Sequence, residues 1–141
     1  MTYTLGHSTL PLADFLKLLT RAGPRVLVVD VRSVPRSRRH WFNQDRISAA
    51  LTANGHTYEW LPSLGGRQAV TFYDYMDTTE FDRGIARVLR LENQIPVLLC
   101  AEADPQECHR WLIATELTAH GRRVSHILQT GKLSLHTQAQ L

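Results

Sequence analysis

The run VLVVDV, residues Val26–Val31, is apolar or β-branched at every position except Asp30. A strand that faces water on one side alternates polar and apolar residues, so this continuous pattern predicts a strand buried on both faces. A second run of the same kind, IPVLLC, spans Ile95–Cys100. Strands of this type occur in parallel sheets whose two faces are covered by helices. The two runs therefore favour an α/β sheet.

Helical and strand-like segments alternate on either side of these two runs. Leu12, Phe15 and Leu19 recur at helical spacing before Gly23-Pro24, which ends that helix. Further helices are predicted over about 43–53, after a cap at 77–80, and over about 105–120. Shorter strands are predicted over 2–7, in TYEWLPSLGG and in RVSHIL. We expect one domain over residues 1–141, a three-layer α/β fold with a mostly parallel sheet of about five strands and helices on both faces.

The composition is that of a single globular domain with a mildly basic charge. The chain has 141 residues, 43% of them hydrophobic, and a formal net charge of +3. No run is long and apolar enough to span a membrane, and the N-terminal MTYTLGHSTL lacks the layout of a signal peptide. Two cysteines do not make a disulfide framework. We expect a cytoplasmic protein without a membrane partner.

Unusual polar residues follow the predicted strands. His7 follows the first, Asp30 and Arg32 end the second, and Cys100 and Glu102 end the apolar run before the last helix. The pair Gly65-Gly66 follows TYEW in the same way. Ligands of parallel α/β sheets bind beyond the carboxyl ends of the strands. The coincidence predicts a binding site at that edge.

Several of these motifs together resemble the DUF488 family, a set of small bacterial and archaeal domains of unknown function. The matching segments are YTLGHST, VVDVRSVPRSRR, YEWLPSLGG, DYMDTTEF, LLCAEADPQECHR and GRRVSHIL. The resemblance implies an α/β domain with signature positions at residues 6–8, 30–32, 100–102 and 108–110, and it implies no reaction. A weaker, mainly architectural resemblance is to rhodanese-like domains.

The cysteines allow a nucleophile or a metal site, and each has a simpler alternative. Cys100 lies at a strand end before a helix, where a thiolate can be stabilised. Three nearby carboxylates would repel an anion and would raise the pKa of the Cys100 thiol. This favours a buried, unreactive thiol. Cys108, His109 and His7 are possible zinc ligands, but their spacing matches no zinc motif. We expect no metal and no cofactor.

The carboxylates offer a different chemistry. Glu102, Asp30 and His7 at one rim could act as acid–base groups with tuned pKa values. Asp30 could equally form a structural pair with Arg32, and Glu102 could cap the following helix. His7 could be a strand-end histidine bonded to Asp30.

The loop after the second strand is basic. No acid occurs from Val31 to Gln44, and arginines and serines alternate in it. Such groups bind phosphate, the two glycines permit close approach of a ligand, and aromatic rings stack on bases. Predicted phosphate ligands are Arg32, Ser33, Arg36, Ser37, Arg38, Arg39, Gly65, Gly66 and Arg110, and predicted base-stacking residues are Trp41 and Phe42. The alternative is a solvated loop whose aromatic residues cover the core.

Three functions remain open from the sequence. The first is an enzyme acting on a nucleotide, nucleobase or nucleic acid by carboxylate and histidine chemistry, such as N-glycosidic cleavage or base modification. The second is a cysteine-dependent, rhodanese-like or phosphatase-like enzyme that uses Cys100. The third is a non-catalytic nucleic-acid-binding module. The expected partner is an anionic small molecule or a nucleic acid.

Overall fold

The computed structural model describes residues 1–66 and 71–137, which form one six-stranded sheet. Its strands are β1 (Thr2–Gly6), β2 (Leu27–Asp30), β3 (Thr57–Trp60), β4 (Pro96–Cys100), β5 (Val124–Ile127) and β6 (Leu133–Leu135). The spatial order is β3-β2-β4-β1-β5-β6. Neighbouring strands from β3 to β5 pair in parallel, and β6 pairs antiparallel to β5. The mostly parallel sheet predicted from the sequence is confirmed.

Helices cover both faces of the sheet. They are α1 (Leu12–Leu19), α2 (Gln44–Ala53), α3 (Phe72–Met76), α4 (Thr79–Leu89) and α5 (Arg110–Ala119). Phe15 of α1 and Ile47 of α2 belong to one buried cluster, and Ile85 of α4 and Ile113 of α5 belong to the other. Each face of the sheet therefore has its own apolar core, which gives the predicted three layers. None of the helices in the described residues is long and apolar enough to cross a membrane.

Two details differ from the sequence prediction. The sheet has a sixth strand, β6, which is only three residues long and fully exposed. The helix predicted over about 105–120 is interrupted: a short 3-10 turn, Pro105–Glu107, precedes α5. Asp104 caps that turn by accepting a hydrogen bond from the amide of Gln106 at 2.9 Å, and Cys108 is extended, with φ −126° and ψ 147°. The interruption aims Cys108 back at the sheet.

Strand order places a crevice at the end of β4. The chain leaves β1 and β2 toward α1 and α2 on one face, and it leaves β4 toward α5 on the other face. Because β4 lies between β1 and β2, connections diverge on both sides of it. Such a divergence opens the crevice in which parallel α/β proteins bind ligands.

The loop after β4 crosses directly over the end of β1. A β-carbon added to Gly6 would lie 1.6 Å from the backbone oxygen of Glu102. The same crossing is held by backbone hydrogen bonds from His7 to Cys100 and from Ser8 to Ala101, at 2.9 and 2.8 Å. Glycine at position 6 therefore allows the contact that brings the β1 and β4 ends together.

Candidate functional site

Asp30 and Arg32 form a buried, bidentate ion pair at the end of β2. The Arg32 Nε and Nη2 atoms donate to the two Asp30 carboxylate oxygens at 2.8 and 2.7 Å, and the Tyr58 hydroxyl donates to the same carboxylate at 2.6 Å. Asp30 has no exposed surface and Arg32 is 5% exposed. Burial and the hydrogen bond to Asp30 raise the pKa of Tyr58, so Tyr58 stays protonated as a donor. The pairing alternative for Asp30 matches this geometry.

His7 completes the buried group from the end of β1. Its Nδ1 donates to the Ser8 backbone oxygen at 2.9 Å, and its Nε2 accepts from Arg32 Nη1 at 3.4 Å. The ring stacks on Phe42 with centroids 4.5 Å apart. Burial lowers the pKa of His7, and the charge of Arg32 lowers it further. His7 is therefore a neutral imidazole that supports Arg32.

The two cysteines meet at the end of β4. Both are free and buried, and the Cys100 thiol donates to the backbone oxygen of Glu102 at 3.7 Å. Burial raises the pKa of the Cys100 thiol. The neighbouring Cys100 thiol lowers the pKa of Cys108 despite its burial, and the backbone amide of Arg110, at 3.5 Å from the Cys108 sulfur, adds to this. The negative charge therefore belongs on Cys108, while Cys100 stays protonated.

His109 lies beside the Cys108 sulfur and supports the same charge. Its Nδ1 is 3.7 Å from that sulfur, and its Nε2 donates to the backbone oxygen of Val31 at 3.1 Å. Burial lowers the pKa of His109, but the hydrogen bond to Cys108 and the charge there outweigh it, so the pKa is raised. A thiolate beside an imidazolium is the arrangement that activates catalytic cysteines.

Arg110, the first residue of α5, is buried beneath the cysteines. Its side chain has no exposed surface, and its Nη2 donates to the backbone oxygen of Ala103 at 2.9 Å. Its Nε and Nη1 have no hydrogen-bond partner within residues 1–66 and 71–137. The positive charge favours ionisation of Cys100 and opposes protonation of His109 and His126. Arg110 thus acts on the charge of the site from below and does not line the cleft.

A cleft of about 290 Å³ gives access to Cys108 and His109. It is lined by Arg32, Ser33, Val34, Arg36, Ala101, Glu102, Glu107, Cys108 and His109. Glu102 and Glu107 are exposed at its rim. The cleft therefore joins the predicted residues Arg32, Ser33, Arg36 and Glu102, while Cys100 lies behind Cys108.

The rest of the basic loop lies apart from the cleft. Arg38 and Arg39 are exposed, and Ser37 is used within the loop: its amide donates to Asn43 Oδ1 at 2.8 Å and its hydroxyl accepts from Arg39 N at 3.0 Å. Arg36, Arg38 and Arg39 form no ion pair in the described part of the chain.

The predicted stacking residues are not free to stack on a ligand as a pair. Phe42 has no exposed surface, because its ring packs against Phe15 and His7 in the core. Trp41 is partly buried and donates its indole N–H to the backbone oxygen of Leu10 at 2.9 Å. A base-stacking role for Phe42 is therefore wrong, and the alternative that the aromatic residues cover the core fits it.

The two glycines support the loop that carries Ser33. A β-carbon on Gly65 would lie 2.6 Å from the Ser33 Cα, so glycine is needed for this backbone contact. Gly66 lies against the Phe72 ring, with φ +73°. The close approach is thus to the protein's own chain. Within the described residues, no group of three or more histidine, cysteine or acidic side chains is arranged to hold a metal ion.

The sequence does not indicate the pairing of Cys108 with His109, because a continuous helix over about 105–120 points neighbouring side chains about 100° apart. Pro105 gives no signal of the interruption, since proline is tolerated in the first turn of a helix. With Cys108 outside the helix, its side chain can reach Cys100.

Comparison with known proteins gives one match. A family model described as "Domain of unknown function DUF488" matches residues 11–117 of this chain. Neither the curated proteins nor the solved structures gave a match.

Proposed function

The chain belongs to the DUF488 family, whose description assigns no reaction, and we propose from the geometry of the site that it is a cysteine-dependent enzyme. The nucleophile is Cys108, and the substrate is an anionic, phosphate-bearing molecule held by Arg36. The observation that carries this proposal is the contact of the Cys108 sulfur with two donors, His109 at 3.7 Å and the Arg110 amide at 3.5 Å.

The rim of the cleft restricts the electrophile. Glu102 and Glu107 lie beside Cys108, and their negative charge repels a phosphorus centre that carries anionic oxygens. A neutral carbon centre is not repelled. The sulfur of Cys108 therefore forms a bond to carbon, and the phosphate of the substrate lies on Arg36, which lines the same cleft.

The remaining steps use residues at the same cleft. When the sulfur bonds to carbon, the leaving atom departs with the bonding electron pair and takes a proton from His109. A water molecule then attacks the carbon, Glu102 accepts its proton, and Cys108 leaves as a thiolate. Glu102 returns this proton through solvent to His109, so the products carry one hydroxyl and one hydrogen from water and the overall reaction is a hydrolysis.

This proposal is better supported than acid–base chemistry by His7 and Asp30. Both side chains are committed to Arg32, and Asp30 has no exposed surface with which to touch a substrate. Of the three predicted acid–base residues, Glu102 is the one that lines the cleft and is exposed to solvent. Its role as a general base is retained here.

Alkylation with iodoacetamide, followed by mass spectrometry, tests the proposal. We expect Cys108 to react at a rate that titrates well below the ordinary thiol pKa of about 8.5, and Cys100 to react slowly. The Cys100→Ser variant keeps the fast reaction and the Cys108→Ser variant loses it. A Cys108 rate that titrates at about 8.5 or above contradicts the assignment.

A binding module is a second candidate, favoured by the exposed side chains of Arg36, Arg38 and Arg39, which have no acidic partner among the described residues. Three phosphate contacts predict a slope of about −2 in log affinity against log salt on single-stranded nucleic acid. We expect Arg38→Ala to reduce that slope by somewhat less than one. An affinity that does not change with salt concentration argues against this binding function.

A further inference from the structure

A second cavity adjoins the cleft at Cys108. It has a volume of about 430 Å³ and is lined by Pro35, Arg36, Asn43, Gln44, Asp45 and Trp60. Arg36 lines both cavities, so its cation lies between them. A ligand longer than one group can therefore extend from Cys108 past Arg36 to Trp60.

Trp60 is held in a fixed position in this second cavity. It ends β3, next to the end of β2, and its indole N–H donates to the backbone oxygen of Arg32 at 2.9 Å. The side chain is nevertheless 38% exposed. Since the polar atom of the ring is already bonded, the part of the ring that remains exposed is aromatic carbon, which suits contact with a base.

Polar groups surround the ring. The Oδ1 of Asn43 accepts a hydrogen bond from the Ser37 amide at 2.8 Å, which leaves the Asn43 amide nitrogen as a donor. Gln44 adds an amide, with one acceptor and two donors, and Asp45 adds a carboxylate. The aromatic ring can stack on a planar heterocycle, and the amide and carboxylate groups can hydrogen-bond to the polar edge of that heterocycle.

We propose that this second cavity is a nucleobase subsite for single-stranded nucleic acid. One base stacks on Trp60, the adjacent phosphate lies on Arg36, and the neighbouring nucleotide enters the cleft at Cys108. The inference rests on the proposed function, since it names the substrate class of that site. A nucleic acid is favoured over a free nucleotide because the exposed cations continue through Arg38 and Arg39, more than one phosphate requires.

Binding of a fluorescein-labelled single strand of about ten thymidines tests the subsite. We expect Trp60→Leu to weaken binding by about five-fold or more, the loss expected for one stacked base. Trp60→Phe keeps an aromatic face and should bind more like the wild type than like Trp60→Leu. Circular dichroism and the thermal midpoint of each variant establish that it is folded.

Three results would overturn the inference: no binding of the strand by the wild-type protein, equal binding by the wild type and Trp60→Leu, or competition by a single nucleotide as effective as that of the strand. Alkylation of Cys108 in the same samples separates this inference from the proposed function. If the strand fails to bind while Cys108 still titrates low, the subsite is wrong and the nucleophile stands. If binding depends on Trp60 while Cys108 titrates ordinarily, the nucleophile is wrong and the subsite stands.

Discussion

Replacing Cys100 with alanine tests whether the buried thiol is what ionises Cys108. Cys100 has no exposed surface and lies at the end of β4, so alanine removes one sulfur from the core and leaves the cleft lining unchanged. The lost thiol is the neighbour that lowers the pKa of Cys108 most strongly. The contacts of Cys108 with His109 and with the Arg110 amide remain.

The size of the effect is at most that of one hydrogen bond to the Cys108 thiolate. A hydrogen bond to a charged group contributes about 1.5–3 kcal/mol, and one pKa unit corresponds to about 1.4 kcal/mol. The pKa of Cys108 should therefore rise by about one to two units in Cys100→Ala. Cys100→Ser retains a hydroxyl donor at the same position and should show a smaller rise.

The assay is a pH titration of thiolate absorbance in the far ultraviolet, with the Cys108 alkylation rate as a second measure. The Cys108→Ser variant is the control and should show no low-pH titration, because burial raises the pKa of the remaining Cys100. If Cys100→Ala leaves the pKa of Cys108 unchanged, the Cys100 thiol does not stabilise the charge on Cys108, and the reasoning from it is refuted.

Three further predictions concern stability. Asp30→Asn breaks a buried ion pair and should lower the free energy of unfolding, measured in urea, by about 3–5 kcal/mol. Glu59→Gln breaks a half-exposed pair and should lower it by less than about 1 kcal/mol. Similar losses in the two variants would contradict this. Gly6→Ala should lower the free energy of unfolding by at least about 3 kcal/mol, because the added β-carbon clashes with the loop after β4. Gly55→Ala should lower it by about 1–2 kcal/mol, because its β-carbon would meet no atom and only the backbone conformation is strained. The reverse order would be inconsistent with the crossing of the loop over β1. Burial lowers the pKa of His126 to about 3, below its ordinary 6.5, so neutral His126 contributes its full stabilisation above pH 6.5 and loses it as the pH falls, by up to about 1.4 kcal/mol per pH unit. Thermal midpoints should therefore decline less between about pH 6 and 4 in His126→Asn than in the wild type. An unchanged pH dependence would rule this out.

The site was predictable in part from the residues themselves. Polar residues after β1, β2 and β4 indicated the correct edge of the sheet, and Arg32, Glu102 and Arg36 do line one cleft there. The sequence left two roles open for Asp30, a catalytic carboxylate and a structural partner of Arg32. The structure decides between them, because Arg32 and the distant Tyr58 bond both of its oxygens.

The sequence by itself determined the alternation of strands and helices and the burial of β2 and β4, because continuous apolar strands and helical periodicity are local patterns. The tertiary structure alone decided that β4 lies between β1 and β2, and therefore that His7, Arg32 and Cys108 surround one crevice. It also decided which cysteine holds the charge. A thiol pKa depends on burial and on donors within a few ångströms, and contacts across the sheet, which no spacing along the chain encodes, set both of these.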